Sequence, residues 1–345
     1  MEYPRKVRHG RRLSGRAALL LASMTPFVFA VPLMLHGIRA FRSHYVDRGA
    51  LPFPSFSSIL ERPTRSTPPP TTAGIPVLVY HGISGAHDYY SISQVHFARQ
   101  MEMLHRLGYS AVSVAQYDAF LHGQDANLPT RPILITFDDG RLDSYRGADA
   151  VLRRLGFRAS IFVISGSIRV PFYLTWAELR RMAASQTWDV AFHAGKGHVE
   201  IPLRGYPPSG PFYAFERELG GGQESYADWK TRVIGDLTWG IKQLHENVPA
   251  ADLRVMAVPY GNYGQNGTND PRIPRTLGAW LHAHFDAVFV QTYENPPFTA
   301  PGAHFDKQRL QVHATTTTAA IESWLRARAN GGPFEVGDVL YGQGG

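Results

Sequence analysis

The sharpest chemical signal in this chain is Ile133-Leu134-Ile135-Thr136-Phe137-Asp138-Asp139-Gly140, an apolar run that stops abruptly in two carboxylates and a glycine. Neighbours within a strand face opposite sides, but Gly140 at the strand end permits a turn that brings both carboxylates to one site. Two carboxylates that close raise each other's pKa unless a cation divides their roles, so a metal partner is the economical account. The plain alternative is an Asp-Gly turn after an ordinary strand.

A second signal is Phe192-His193-Ala194-Gly195-Lys196-Gly197-His198. Imidazoles five apart diverge on a helix, yet Gly195 and Gly197 make a loop able to fold both rings toward one ion. With one carboxylate they form a two-His, one-Asp site that leaves positions open for water and substrate. The chain has 15 histidines, so a chance pair is the competing account. A third signal, Ala257-Val258-Pro259-Tyr260-Gly261, is a tight turn that can aim the Tyr260 N–H at a developing oxyanion.

All three signals need strand ends converging on one place. Short apolar runs at 76–81, 110–114, 132–137, 159–164, 188–193, 254–259, 286–291 and 309–313 predict strands. Apolar spacings of three and four predict helices through Phe97–Leu107 and in 143–155, 175–185, 226–247, 271–284 and 317–329. Near-continuous apolar strands alternating with helices predict a mostly parallel α/β sheet covered on both faces. About seven such units favour a barrel with its chemistry at the C-terminal strand ends. There is no internal repeat.

Bulk properties narrow the function classes. The 345 residues, 44% apolar, suffice for one large core plus a non-globular segment. The net charge of +7 is concentrated ahead of the folded region: residues 1–16 hold six Lys/Arg against Glu2, and residues 17–74 hold five against two acids. From Ile75 onward the charges nearly balance, which argues against nucleic acid as a partner. Cysteine is absent, so there are no disulfides, thiolate metal sites or cysteine nucleophile.

The N-terminal region reads as a basic cytoplasmic head (1–16), a transmembrane signal-anchor (17–41) and a Pro/Ser/Thr-rich linker (42–74). The charge-free run Ala17–Leu35 is long enough to span a bilayer, and the positive-inside bias sets its orientation. A single-pass cell-membrane protein with an extracytoplasmic catalytic domain (75–330) and a C-terminal tail (331–345) is therefore expected. Cleavage near Val28-Phe29-Ala30 would make it secreted instead.

The three motifs, in this order, resemble the polysaccharide deacetylase family, carbohydrate esterase family 4, over roughly residues 75–325, with Thr136-Phe137-Asp138-Asp139-Gly140 the most specific part. The resemblance implies a distorted (β/α)7 barrel of the polysaccharide deacetylase type. It also implies Asp138 as general base, Asp139, His193 and His198 as ligands of a divalent metal, and Pro259–Gly261 as shaping the acetyl pocket. The opening Val77-Leu78-Val79-Tyr80-His81-Gly82-Ile83 is similar to the branch that deacetylates poly-β-1,6-N-acetylglucosamine, and there His81 inherits the general acid's role. Two departures stand out. Ala257 replaces an arginine common two residues before the Pro-Tyr/Phe-Gly turn, so whatever orients the base must come from elsewhere. Leu310-Gln311-Val312-His313 fits the element that furnishes the acid in other branches, which makes His313 a rival to His81.

The expected reaction is hydrolysis of an N-acetyl group on an amino-sugar polysaccharide. Zn²⁺ suits the donor set best, with Co²⁺, Ni²⁺ or Fe²⁺ as alternatives. Tyr173, Trp176, Trp188, Tyr206, Phe212, Tyr213 and Tyr263 are the aromatic residues available to stack on sugar, and the insertion Ile201–Gly222 is long enough for a lid or substrate rim. A glycan hydrolase with two catalytic carboxylates and a non-catalytic carbohydrate-binding domain are the competing classes.

Overall fold

The computed structural model describes residues 74–85, 88–291, 298–299 and 306–329. The basic head, the apolar segment, the tail and all but Gly74 of the linker fall outside the described residues, and so does the transmembrane expectation. Among the described residues no helix is long and apolar enough to cross a membrane.

The strands are β1 (Ile75–Tyr80), β2 (Ser110–Ala111), β3 (Pro132–Phe137), β4 (Ala159–Ile164), β5 (Trp188–Ala194), β6 (Glu200–Pro202), β7 (Ser209–Pro211), β8 (Glu218–Leu219), β9 (Gly222–Gln223), β10 (Val255–Ala257), β11 (Ala287–Val290), β12 (Phe298–Thr299), β13 (Asp306–Gln308) and β14 (Leu310–Gln311). The helices are α1 (Gln94–Arg106), α2 (Val114–Leu121), α3 (Leu142–Leu155), α4 (Trp176–Ala183), α5 (Tyr226–Asn247), α6 (Arg272–His284) and α7 (Thr318–Ala329).

Strands β1, β3, β4, β5, β10, β11 and β13 follow one another in parallel. One residue past β13, β14 pairs in parallel with β1, so the segment 306–311 bridges the first and last strands and nearly closes a barrel. The ring is irregular. β5 and β10 share only the pair Phe192 and Met256, and the β4–β5 register slips between Val163 and Ile164.

Strand alternation sorts the apolar side chains into two cores. Val77, Leu134, Phe162, Ala191, Val255, Ala257, Ala287 and Phe289 cluster inside the ring. Leu78, Ile135, Ile161, Val163, Phe192, Met256 and Val288 pack outward against the helices. Helix α2 belongs to the inner cluster through Val114, Tyr117 and Phe120, with the Tyr117 ring 5.6 Å from Phe289. Its first turn donates the Val114 N–H to Asp189 at the start of β5, so α2 closes the N-terminal mouth.

The structure corrects several expected elements. The strand expected at 110–114 ends at Ala111, because Ser113 and Gln116 form a reciprocal capping box that starts α2 instead. The strand expected at 309–313 is the broken pair β13 and β14, interrupted at Arg309, and the strand expected at 254–259 is only Val255–Ala257, because Pro259 begins a turn. The insertion at 201–222 is not a shapeless loop but part of two small hairpins, β6–β7 and β8–β9. Arg232 of α5 anchors them, donating to the carbonyls of Phe212 and Phe215 and pairing with Glu224 at 2.6 Å.

Candidate active site

The expected motifs meet at the C-terminal strand ends. β3 hands over at Asp138, whose N–H donates to the Tyr80 carbonyl at 3.0 Å and so stays in register with the end of β1. The turn then bends through two left-handed residues, Asp139 and Gly140, each at φ 73°. Asp tolerates this region better than most residues, while a Cβ on Gly140 would lie 3.0 Å from Val163 Cγ1. The double turn separates the carboxylates, sending Asp138 to the barrel axis and Asp139 toward the histidines.

Asp138 is buried and held by Arg309, whose two terminal nitrogens each donate at 2.7 Å to a different carboxylate oxygen. Arg309 also donates to Thr136 Oγ1 at 3.3 Å, and that hydroxyl donates to the Leu78 carbonyl at 2.8 Å. The guanidinium lies between Phe162 and Phe289, its carbon 5.7 and 5.3 Å from their ring centres. Burial opposes ionisation of Asp138, but Arg309, and after it His193, hold its pKa below the usual carboxylate range. This arginine supplies the orientation that Ala257 cannot, from the opposite end of the sequence.

His193 Nε2 and His198 Nε2 lie 3.6 and 3.4 Å from the same oxygen, Asp139 Oδ1, and the two ring centres are 4.9 Å apart. The Nδ1–H of His193 donates to the Ala257 carbonyl at 2.6 Å, which turns Nε2 toward Asp139. Asp139 Oδ1 is buried without a hydrogen-bond partner. Ligands about 2.0–2.1 Å from one tetrahedral ion sit roughly 3.4 Å apart, so this donor set fits a small divalent cation. Burial works against the Asp139 charge, but the three nearby histidines drive its pKa well below the ordinary range. Burial and His193 together push His198 down, keeping its ring neutral and available as a donor.

His81 follows β1 directly. Its Nδ1 is buried with no hydrogen-bond partner, and its ring centre is 5.1 Å from that of Tyr90. Burial lowers its pKa, against the opposing pull of Asp139 and then Asp138, so both carboxylates act on this ring. His313 is buried further along, stacked 4.4 Å from Tyr89, with Nδ1 3.0 Å from Thr315 Oγ1. Tyr260 occupies the turn at φ 57°, and its ring stacks 4.7 Å from His198. Burial, then Glu200 and Asp139, push its hydroxyl up to about 12, so it remains protonated.

Of the aromatic residues singled out from sequence, Trp188 and Tyr213 are about 1% exposed and belong to the core. Tyr89 and Tyr90, which carry no motif in the sequence, are 50% and 47% exposed, Tyr90 beside His81 and Tyr89 stacked on His313. Arg309 was missed as well. Its signal is the alternation of 306–311, where Lys307, Arg309 and Gln311 share a face although charged residues rarely face a barrel interior.

Residues 125–270 match the family model described as polysaccharide deacetylase. The YxkH protein of Bacillus subtilis, whose name places it among polysaccharide deacetylases, is 35% identical over 111 residues, which is 32% of this chain and 39% of YxkH. The match thus spans well under half the length of that curated relative. Among solved structures, a de-N-acetylase from Aggregatibacter actinomycetemcomitans superposes with a TM-score of 0.63 at 19% identity, over 72% of this chain and 99% of its own. IcaB from Ammonifex degensii gives a TM-score of 0.55 at 25% identity, over 74% and 96%. The chain therefore carries the sequence pattern of a polysaccharide deacetylase over 125–270 and the barrel of that family across its described region.

Proposed function

We propose that this chain hydrolyses N-acetyl groups on an amino-sugar polysaccharide outside the cytoplasm, using a divalent metal held by Asp139, His193 and His198. The observation that carries the reading is the division of labour between adjacent carboxylates, Asp138 locked to Arg309 and Asp139 turned to two imidazoles. A glycan hydrolase needs two carboxylates flanking the scissile bond, whereas this pair is already committed to different partners.

A divalent cation held by Asp139, His193 and His198 would supply Lewis-acid polarisation of the amide carbonyl and would acidify water. Asp138 accepts the proton of the attacking water. Arg309 occupies one lone pair on each oxygen, leaving others to receive it. The same pairing keeps the base charged and holds it still. The Tyr260 turn lies against His198 at the acetyl side, where its N–H serves the developing oxyanion. His81, with Nδ1 uncommitted, protonates the leaving nitrogen as the C–N bond breaks, giving acetate and a free amine. Asp139 and Asp138 attract a proton to the His81 ring, which supports it as the acid, against burial, the larger influence, which lowers its pKa.

The opening Val77–Ile83 and the five-residue histidine spacing support a β-1,6-linked N-acetylglucosamine polymer as substrate. The basic head and apolar segment support a cell-membrane tether with the barrel outside. Incubation with β-1,6- and β-1,4-linked N-acetylglucosamine oligomers, assaying acetate beside reducing ends, tests the reading. Acetate without new reducing ends, faster from the β-1,6 series, is the expected result. Reducing ends without acetate would replace it with glycan hydrolysis.

A further inference from the structure

The two histidines of the donor set are supported very differently. His193 belongs to β5 and is oriented by the Ala257 carbonyl. His198 lies beyond Gly195, Lys196 and Gly197, in a loop whose two glycines give the backbone wide freedom. A ligand on such a loop is useful only if something outside the donor set fixes the backbone.

Asp236, on α5, meets that need. The N–H of Lys196 donates to its Oδ1 at 2.7 Å, the N–H of Gly197 to its Oδ2 at 3.1 Å, and the Tyr213 hydroxyl to the same Oδ2 at 2.7 Å. Two successive amides thus point into one carboxylate, a concave arrangement that favours negative charge. Helix and loop come together through glycines: a Cβ on Gly240 would lie 2.5 Å from Gly195 Cα, and a Cβ on Gly195 would lie 2.3 Å from the Asp236 carbonyl oxygen and 2.7 Å from Oδ2. The spacing is thereby set so that a side chain of aspartate length spans helix to loop.

We propose that Asp236 is the positioning residue for the metal centre, holding the 195–197 loop so that His198 presents Nε2 to Asp139 and His193. The proposal rests on the reading of Asp139, His193 and His198 as ligands. Asp236→Asn separates clamping from mere packing, since the amide keeps the shape but turns an N–H toward the N–H of Gly197.

The test is Zn²⁺ affinity by competition with a chromophoric chelator, together with the visible spectrum of the Co²⁺-loaded protein, for the full chain and its variants. Asp236→Asn is expected to weaken Zn²⁺ binding about 10–100-fold and to change the Co²⁺ spectrum, as loss of an outer-shell support does. Tyr213→Phe, which removes only the third bond to Asp236, is expected to bind within about threefold of the parent. Should Asp236→Asn not fold, Gly195→Ala forces the same contact apart and carries the same expectation. If the parent binds one Zn²⁺ and the folded Asp236 or Gly195 variant matches it in affinity and spectrum, the positioning role is overturned. If the parent itself binds no metal at this cluster, the ligand assignment beneath it fails instead.

Discussion

Arg309 and Asp138, 171 residues apart in sequence, meet through two parallel hydrogen bonds of 2.7 Å inside the barrel. The contact ties the last strand segment to the end of β3, so the element that closes the barrel also orients the proposed base. Breaking a buried pair by removing one partner costs about 3–5 kcal/mol, because the other charge is stranded. Arg309→Met should therefore lower unfolding stability by about that amount, measured by urea titration. Adding Asp138→Asn should recover part of the loss, whereas strictly additive effects would show that the two residues are not energetically coupled.

General acid catalysis contributes typically 10²–10⁴-fold, so the identity of the acid is open to direct comparison. His81→Gln should reduce kcat at least about 100-fold, and His313→Gln less than about tenfold. The reverse ranking would assign the acid to the ring stacked on Tyr89.

Metal that binds only the folded state raises its stability by about 2.7 kcal/mol at a hundred times Kd. Zn²⁺ should accordingly raise Tm in the parent and in Asp138→Asn, whose changed side chain lies outside the donor set, but not in His193→Ala. A chelator should remove the rise and fresh Zn²⁺ restore it.

Gly140 at φ 73°, with Val163 Cγ1 3.0 Å from where a Cβ would stand, makes the turn after the carboxylates sensitive to a single methyl group. Gly140→Ala should cost about 1–3 kcal/mol of stability and weaken Zn²⁺ binding, because the shift is passed straight to Asp139. Calorimetry on metal-free and metal-loaded protein reads both effects.

The parts of this architecture that local chemistry dictates are legible in the sequence. The apolar run 132–137 is β3 residue for residue, and the periodic stretch 226–247 is helix α5. Asp138, Asp139, His193 and His198 could be picked out because strand ends, glycines and donor types lie together in sequence. Arg309 could not, since its partner is distant and a lone arginine beside Leu310 looks like any edge residue until strand alternation is known to point it inward. Asp236 is hidden for the same reason: on a helix it resembles a solvated acid, and only the approach of Gly240 to Gly195 gives it two amides to hold. Helix α2 leaves a weaker signal, because it is only eight residues long and its buried Val114, Tyr117 and Phe120, spaced by three, make too short a periodic run to stand out.

Asp138 as a base beside a metal it does not bind is put to the proof by acetate release from β-1,6-linked N-acetylglucosamine oligomers. The parent protein should release acetate with Zn²⁺ and not after chelation, and Asp138→Asn should lose at least about 100-fold in kcat while still binding Zn²⁺. Release that survives chelation would remove the metal from the reaction, and an Asp138→Asn variant that keeps its rate would remove Asp138 as the base.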